Sequence, residues 1–87
     1  MTAGWRVEVE APARRDLRRL DRPVQMRVLD ALERLVADPP VGDVIKLKGR
    51  PDHRLRVGNW RVILRLDSNQ RTIHVLRVLP RGRAYQR

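Results

Sequence analysis

Apolar and polar positions alternate near the start of the chain, where Trp5, Val7 and Val9 are interleaved with Arg6, Glu8 and Glu10. A period of two predicts a strand with one face buried. From Pro12 the period lengthens. Ala13, Leu17 and Leu20 recur at i, i+4 and i+7, the stripe of a short helix whose other face is Arg14, Arg15, Arg18 and Arg19. Asp21 stands where it can cap a second helix, with Pro23 tolerated in the first turn, and Val24, Val28, Ala31, Leu32 and Leu35 make the buried stripe. Pro39 and Pro40 end it. Two helices joined so closely predict an antiparallel hairpin with one apolar face.

After the prolines the pattern turns strand-like. Ile45 to Gly49 reads as a short strand, His53 to Val57 and Trp60 to Leu66 flank a two-residue turn at Gly58 and Asn59, and Thr72 to Leu79 reads as a long final strand. The order predicts an α+β domain: an N-terminal strand, a helix hairpin, then a mainly antiparallel sheet of three to four strands with the helices on one face. At 87 residues the chain suits one domain, residues 1–87, and not two. The longest apolar runs are a few residues, so no membrane span is expected. Met1 to Glu10 shows no signal-peptide pattern, which points to the cytoplasm.

Composition removes several chemistries. With no cysteine there is no disulfide, zinc finger, iron–sulfur cluster or thiol nucleophile. His53 and His74 are the remaining good transition-metal ligands, and nothing near them in sequence has metal-site spacing, so neither a metal nor another cofactor is expected. Both histidines are expected in structural or surface roles, His53 on the helix side of the sheet. No Ser-His-Asp set, glycine-rich phosphate loop or paired-carboxylate site is legible.

Charge adds direction. The net charge is +10, yet Met1 to Asp43 holds 8 basic and 8 acidic residues, while Val44 to Arg87 holds 12 against 2. Arginine makes up 18 of the 20 basic residues, as codon bias in a GC-rich genome would also produce. Codon bias does not account for the loss of carboxylates after Asp67, and a field of one sign points to a polyanion, nucleic acid first. If Gly58 and Asn59 form the turn, Arg56 faces Arg61, so Arg54, Arg56 and Arg61 share one sheet face while Leu55, Val57, Trp60, Val62 and Leu64 share the other. Like charges placed opposite each other destabilise a sheet unless a ligand joins them, and a phosphate suits converging guanidiniums. Lys46 and Lys48 lie two apart on the preceding strand, and one of them is a candidate to join this face. Arg77, Arg81, Arg83 and Arg87 follow, with Tyr85 among them. Aromatic residues are only 3% of the chain, too few for a base-stacking platform, and Trp5 and Trp60 read as core.

The stretch KLKGRPDHRLRVGNWRVILRL from Lys46 to Leu66 and the ending VLRVLPRGRAYQR from Val75 to Arg87, together with the order of elements, resemble the RelE/ParE superfamily of bacterial toxins, nearer its RelE branch. The sharpest parts are LKG, the R-x-R-x-G-x-W-R hairpin and the terminal R-x-x-x-Y. The resemblance implies a toxin of a type II toxin–antitoxin pair that cuts messenger RNA in the ribosomal A site. Its implied partners are a cognate antitoxin, the ribosome and mRNA, with operator DNA reached through the antitoxin.

By position, Arg54, Arg56, Arg61 and Arg81 resemble the family's phosphate-binding and transition-state groups, and Tyr85 its terminal tyrosine. Lys46, Lys48, Arg77 and Arg83 are further candidates to hold RNA. The implied reaction is attack of a ribose 2′-hydroxyl on the adjacent phosphodiester, without a metal, giving a cyclic phosphate and a 5′-hydroxyl. Pro80 stands where several relatives carry His or Lys, and Arg54 and Arg56 stand where the best-known branch has lysines. Arginine is a poor base, which leaves Tyr85 or Lys48 to take the proton. Two alternatives remain open at this level: a ParE-like inhibitor of DNA gyrase, which characteristically lacks the terminal tyrosine, and a basic RNA-binding module without catalysis.

Overall fold

The computed structural model describes residues 4–37 and 41–83. The elements run β1 (Arg6–Val9), α1 (Ala11–Arg18), α2 (Arg22–Leu35), β2 (Val44–Lys46), β3 (His53–Val57), β4 (Trp60–Asp67) and β5 (Thr72–Pro80), ending in a 3-10 turn at Arg81–Arg83. The sheet is five-stranded in the order β1-β5-β4-β3-β2. β2 to β5 pair antiparallel, as hairpin-linked strands must. β1 joins at the far edge, parallel to β5, because the two helices carry the chain away from it before the strand run begins.

Core residues come from both layers, as the periodicities predict. Ala13 of α1 and Val28, Leu32 and Leu35 of α2 pack against Leu55, Val62, Leu64, Ile73, Val75 and Val78, with Val57, Trp60 and Trp5 partly buried around them. Pro12 lies in the first turn of α1 and Pro23 in that of α2, where a missing N–H breaks no helical bond. Asp21 occupies the N-cap position of α2, although its side chain makes no capping bond. The link between the helices is made instead by Gln25, whose Nε2 donates to the carbonyls of Leu17 (2.7 Å) and Leu20 (3.1 Å) at the end of α1.

The other sheet face is not purely charged. Leu47 and Ile63 are buried there, with Leu76 and Leu79 packed against them. The register shifts in the middle of β5, since Leu64 pairs with Val75 while Ile63 pairs with Arg77, and this leaves Leu76 as the extra residue of a β-bulge. Among the described residues no helix is long and apolar enough to cross a membrane.

Candidate functional site

The β3–β4 hairpin closes as its alternation requires: Val57 pairs with Trp60, Arg56 with Arg61, Leu55 with Val62 and Arg54 with Ile63. Gly58 opens the turn at φ 58°, a left-handed value that a side chain would disfavour. Arg54, Arg56 and Arg61 therefore share the face away from the helices. Their environments differ. Arg61 is 8% exposed, and its Nη1 donates to the carbonyls of Gly58 (2.9 Å) and Trp60 (3.0 Å), which fixes it under the hairpin tip. Arg56 is exposed, and its Nε lies 2.7 Å from Asp43 Oδ2. The Arg54 side chain is 12% exposed, with Nη1 3.7 Å from Asp43 Oδ1, an ion contact too long for a hydrogen bond. Its Nε and Nη1 are buried without a hydrogen-bond partner. A buried cation with unmet donors is costly, and it marks where an anion is best received.

Arg81 joins this group through the backbone. Trp60 pairs with Pro80, and the Arg81 N–H donates to the Asn59 carbonyl at 2.9 Å, so the 3-10 turn starts beside the hairpin tip with Arg81 exposed. The end of β5 and the β3–β4 turn thus bring Arg54, Arg56, Arg61 and Arg81 to one end of the open face. Tyr85 and the side chain of Arg83 lie outside the described residues.

Two of the expected RNA-binding side chains are engaged elsewhere. Arg77 follows the bulge and pairs with Ile63, and its guanidinium meets Asp16 of α1: Nε donates to Oδ2 at 2.8 Å and Nη2 to Oδ1 at 3.1 Å. The Val78 N–H, beyond the point where β1 ends, donates to the same Oδ2 at 2.9 Å. Burial alone would raise the pKa of Asp16, but the Arg77 and Val78 hydrogen bonds and the Arg77 and Arg19 charges outweigh it and hold the carboxyl below 3.8. The Arg77 pKa is raised in turn, first by its hydrogen bond to Asp16. Lys46 is in register with His53 rather than with Arg54; the residue beside Arg54 is Ile45. The Lys46 ammonium donates to the Arg50 carbonyl at 2.7 Å. The strand ends at Lys46 rather than running to Gly49, which leaves Lys48 exposed in the following turn. His53 pairs with Leu64, on the helix side as expected.

Sequence reasoning missed the carboxylates that organise these cations. Asp16 sits at the i+3 position from Ala13 on the buried side of α1, where a polar residue breaks the stripe. Asp52, 2% exposed, receives Arg50 Nη2 at 2.7 Å and Arg65 Nε at 2.9 Å. Burial opposes its ionisation, and the hydrogen bonds and charges of Arg50 and Arg65 overcome this to lower its pKa. An isolated aspartate among arginines in the basic half was the available signal.

A family model described as the ParE toxin of the type II toxin–antitoxin system parDE matches residues 7–85. Solved structures agree on the fold. The chain is similar to a RelE–RelB complex from Pyrococcus horikoshii, at 31% identity and TM-score 0.77 over 93% of this chain and 99% of that one. It is also similar to a RelBE toxin–antitoxin complex from Mycobacterium tuberculosis, at 27% identity and TM-score 0.75 over 91% and 100%. The intact Escherichia coli RelBE complex, at 18% identity and TM-score 0.71 over 87% and 95%, shares the fold. No curated protein matches the chain. With the family model spanning nearly all of the sequence and the sheet order and helix layer in place, the chain belongs to the ParE toxin family of type II toxin–antitoxin systems, within the RelE/ParE superfamily.

Proposed function

We propose that this protein is the toxin of a type II pair that arrests translation by cutting mRNA on the ribosome, and that a cognate antitoxin holds it inactive. The observation that carries this reading is the under-partnered Arg54, buried on the same sheet face as Arg56 and Arg61 and near Arg81. A phosphodiester in the act of cleavage gains negative charge on its phosphoryl oxygens, and fixed guanidiniums stabilise that charge without reorganising. Arg61 is preorganised by its two carbonyl bonds. Nη1 is engaged there, so its remaining donors meet the phosphate, while Arg81 closes from the exposed side. The 2′-hydroxyl gives its proton to Tyr85 or Lys48 and its oxygen bonds to phosphorus. The 5′-oxygen leaves and takes up a proton, and the products are a 2′,3′-cyclic phosphate and a 5′-hydroxyl. The ribosome supplies the in-line geometry. The similar solved structures from Mycobacterium tuberculosis and Pyrococcus horikoshii are complexes of a toxin with its antitoxin, which supports the antitoxin as partner. Met26 and Leu29 on α2 and Val41 and Ile45 around the start of β2 are exposed and offer it apolar anchors.

A second reading, inhibition of DNA gyrase, draws support from the description of the matching family model. One experiment separates the two. The protein is induced without antitoxin while protein synthesis, transcript ends and plasmid supercoiling are followed. Translation arrest with new 5′-hydroxyl transcript ends is the expected result, and Arg81→Ala should reduce cleavage by about 10²–10³. Collapsed supercoiling with protein synthesis intact overturns the nuclease reading.

A further inference from the structure

We propose that Glu8, Glu10 and His74 form a binding site for a divalent transition-metal ion, zinc foremost, on the β1–β5 edge of the sheet. Parallel pairing sets Glu8 directly beside His74, and the Glu10 N–H continues the ladder to the Val75 carbonyl at 2.9 Å. The period of two puts Glu8 and Glu10 on one side of β1. Their carboxylates converge on a single imidazole nitrogen: His74 Nδ1 lies 2.8 Å from Glu10 Oε2 and 4.0 Å from Glu8 Oε1. One ligand atom from each residue falls within 4.8 Å of the others. The 2.8 Å edge is a hydrogen bond that an ion would replace: two ligands of a tetrahedral ion at about 2.0–2.2 Å stand about 3.4 Å apart, so this edge opens and the longer ones close with small rotations of side chains that are 29% to 50% exposed.

The donor set selects the ion class. Two carboxylates and one imidazole balance a divalent charge and leave coordination positions for water, a combination suited to zinc, cobalt, nickel or manganese more than to magnesium or calcium. The nearby cations leave the site open. Arg6 reaches only Glu8, at 3.5 Å and in an exposed position, while Arg65, in register with His74 on β4, is engaged by Asp52. The site is built from residues 64 positions apart, which is why no sequence spacing announces it. It lies on β1 and β5, whereas Arg54, Arg56 and Arg61 lie on β3 and β4, so it pins the N-terminal strand to the sheet rather than serving the proposed RNA chemistry.

The test uses purified, tag-free toxin stripped of metal. Calorimetry should find one zinc ion per chain, and Tm should rise by about 10 °C when free zinc is near 100-fold above Kd. His74→Gln and Glu10→Gln should each weaken binding at least 10-fold, while His53→Gln leaves it unchanged. Nitrogen NMR of the wild-type imidazoles gives a reading that does not depend on any variant folding: zinc should shift Nδ1 of His74. Absence of saturable binding to 1 mM zinc, full binding by His74→Gln, or a metal shift confined to His53 overturns the proposal.

Discussion

Replacing Asp16 by alanine tests the main joint between the helix layer and β5. The carboxylate is 9% exposed and takes three hydrogen bonds, two from Arg77 and one from the Val78 amide. Arg77 is 47% exposed, so the ion pair itself is screened and contributes about 0.5–1 kcal/mol. The buried Val78 amide is the larger loss: left without an acceptor, it costs about 1–3 kcal/mol. Together Asp16→Ala should destabilise the fold by about 3 kcal/mol, out of a total on the order of 10 kcal/mol for a chain this size. That corresponds to a Tm fall of about 10–20 °C. Asp16→Asn keeps an acceptor for Val78 and should lose only about 1 kcal/mol. The assay is urea unfolding followed by tryptophan fluorescence, since Trp60 lines the same groove as Asp16 and Arg77. The acid limb is a second readout. Asp16 is held below 3.8 in the fold, so its ionised form contributes stability that is fully present above about pH 5 and lost as pH falls through the folded pKa. The slope below pH 4 should be shallower in Asp16→Asn. An Asp16→Ala protein within 0.5 kcal/mol of the parent would refute this account of the joint.

Asp52→Asn should flatten the same acid limb independently, because the Asp52 pKa is also lowered and its partners Arg50 and Arg65 are separate from Arg77; additive slopes in the double variant are the check. Arg61→Ala should cost about 1–2 kcal/mol in urea unfolding through the lost Gly58 and Trp60 carbonyl bonds, whereas exposed Arg81→Ala should leave stability unchanged; equal effects would contradict the burial difference. Tyr85→Phe should lower the single-turnover cleavage rate while ribosome affinity holds. A fully active Phe variant would move the base to Lys48.

Most of the architecture was legible because its residues obey their periods. His53–Val57 ends where alternation meets Gly58, and Leu55, Val57, Trp60, Val62 and Leu64 face the helices as the turn register demands. The helix stripe from Val24 to Leu35 was equally direct. The features left unread depend on tertiary geometry. The inserted Leu76 breaks the alternation of β5, so that Val78 rather than Arg77 returns to the helix side after Val75, and neither composition nor period reports a bulge. The parallel placement of β1 against β5 brings Glu8 beside His74 across a gap that no local pattern spans. Lys46 reads as part of a basic strand, yet the pairing of β2 with β3, which no local pattern specifies, sets Ile45 beside Arg54 and Lys46 beside His53.

That same geometry changes what the basic half means. Counted along the chain, the residues after Asp43 carry all of the net charge, which suggests a uniformly cationic face. In the fold, the nominally neutral half supplies Asp16 to Arg77 and Asp43 to Arg56 and, at the longer distance of 3.7 Å, to Arg54, and Asp52 engages both Arg50 and Arg65. Arg77 ties β5 to α1, and Arg50 and Arg65 brace the loop before β3, whereas Arg56 stays exposed on the open face. Arg61 is held by carbonyls, which orient a guanidinium without neutralising it, and Arg54 is left with unmet donors beneath the surface. A positive potential is therefore concentrated at one end of the open face. A diffuse basic surface attracts any polyanion through counterion release, with little regard for orientation. A few fixed, partly desolvated guanidiniums favour one phosphate in one geometry, because the charge they meet is worth more where water is excluded. Partner assignment, more than net charge, is what separates the arginines that build this protein from those proposed to act.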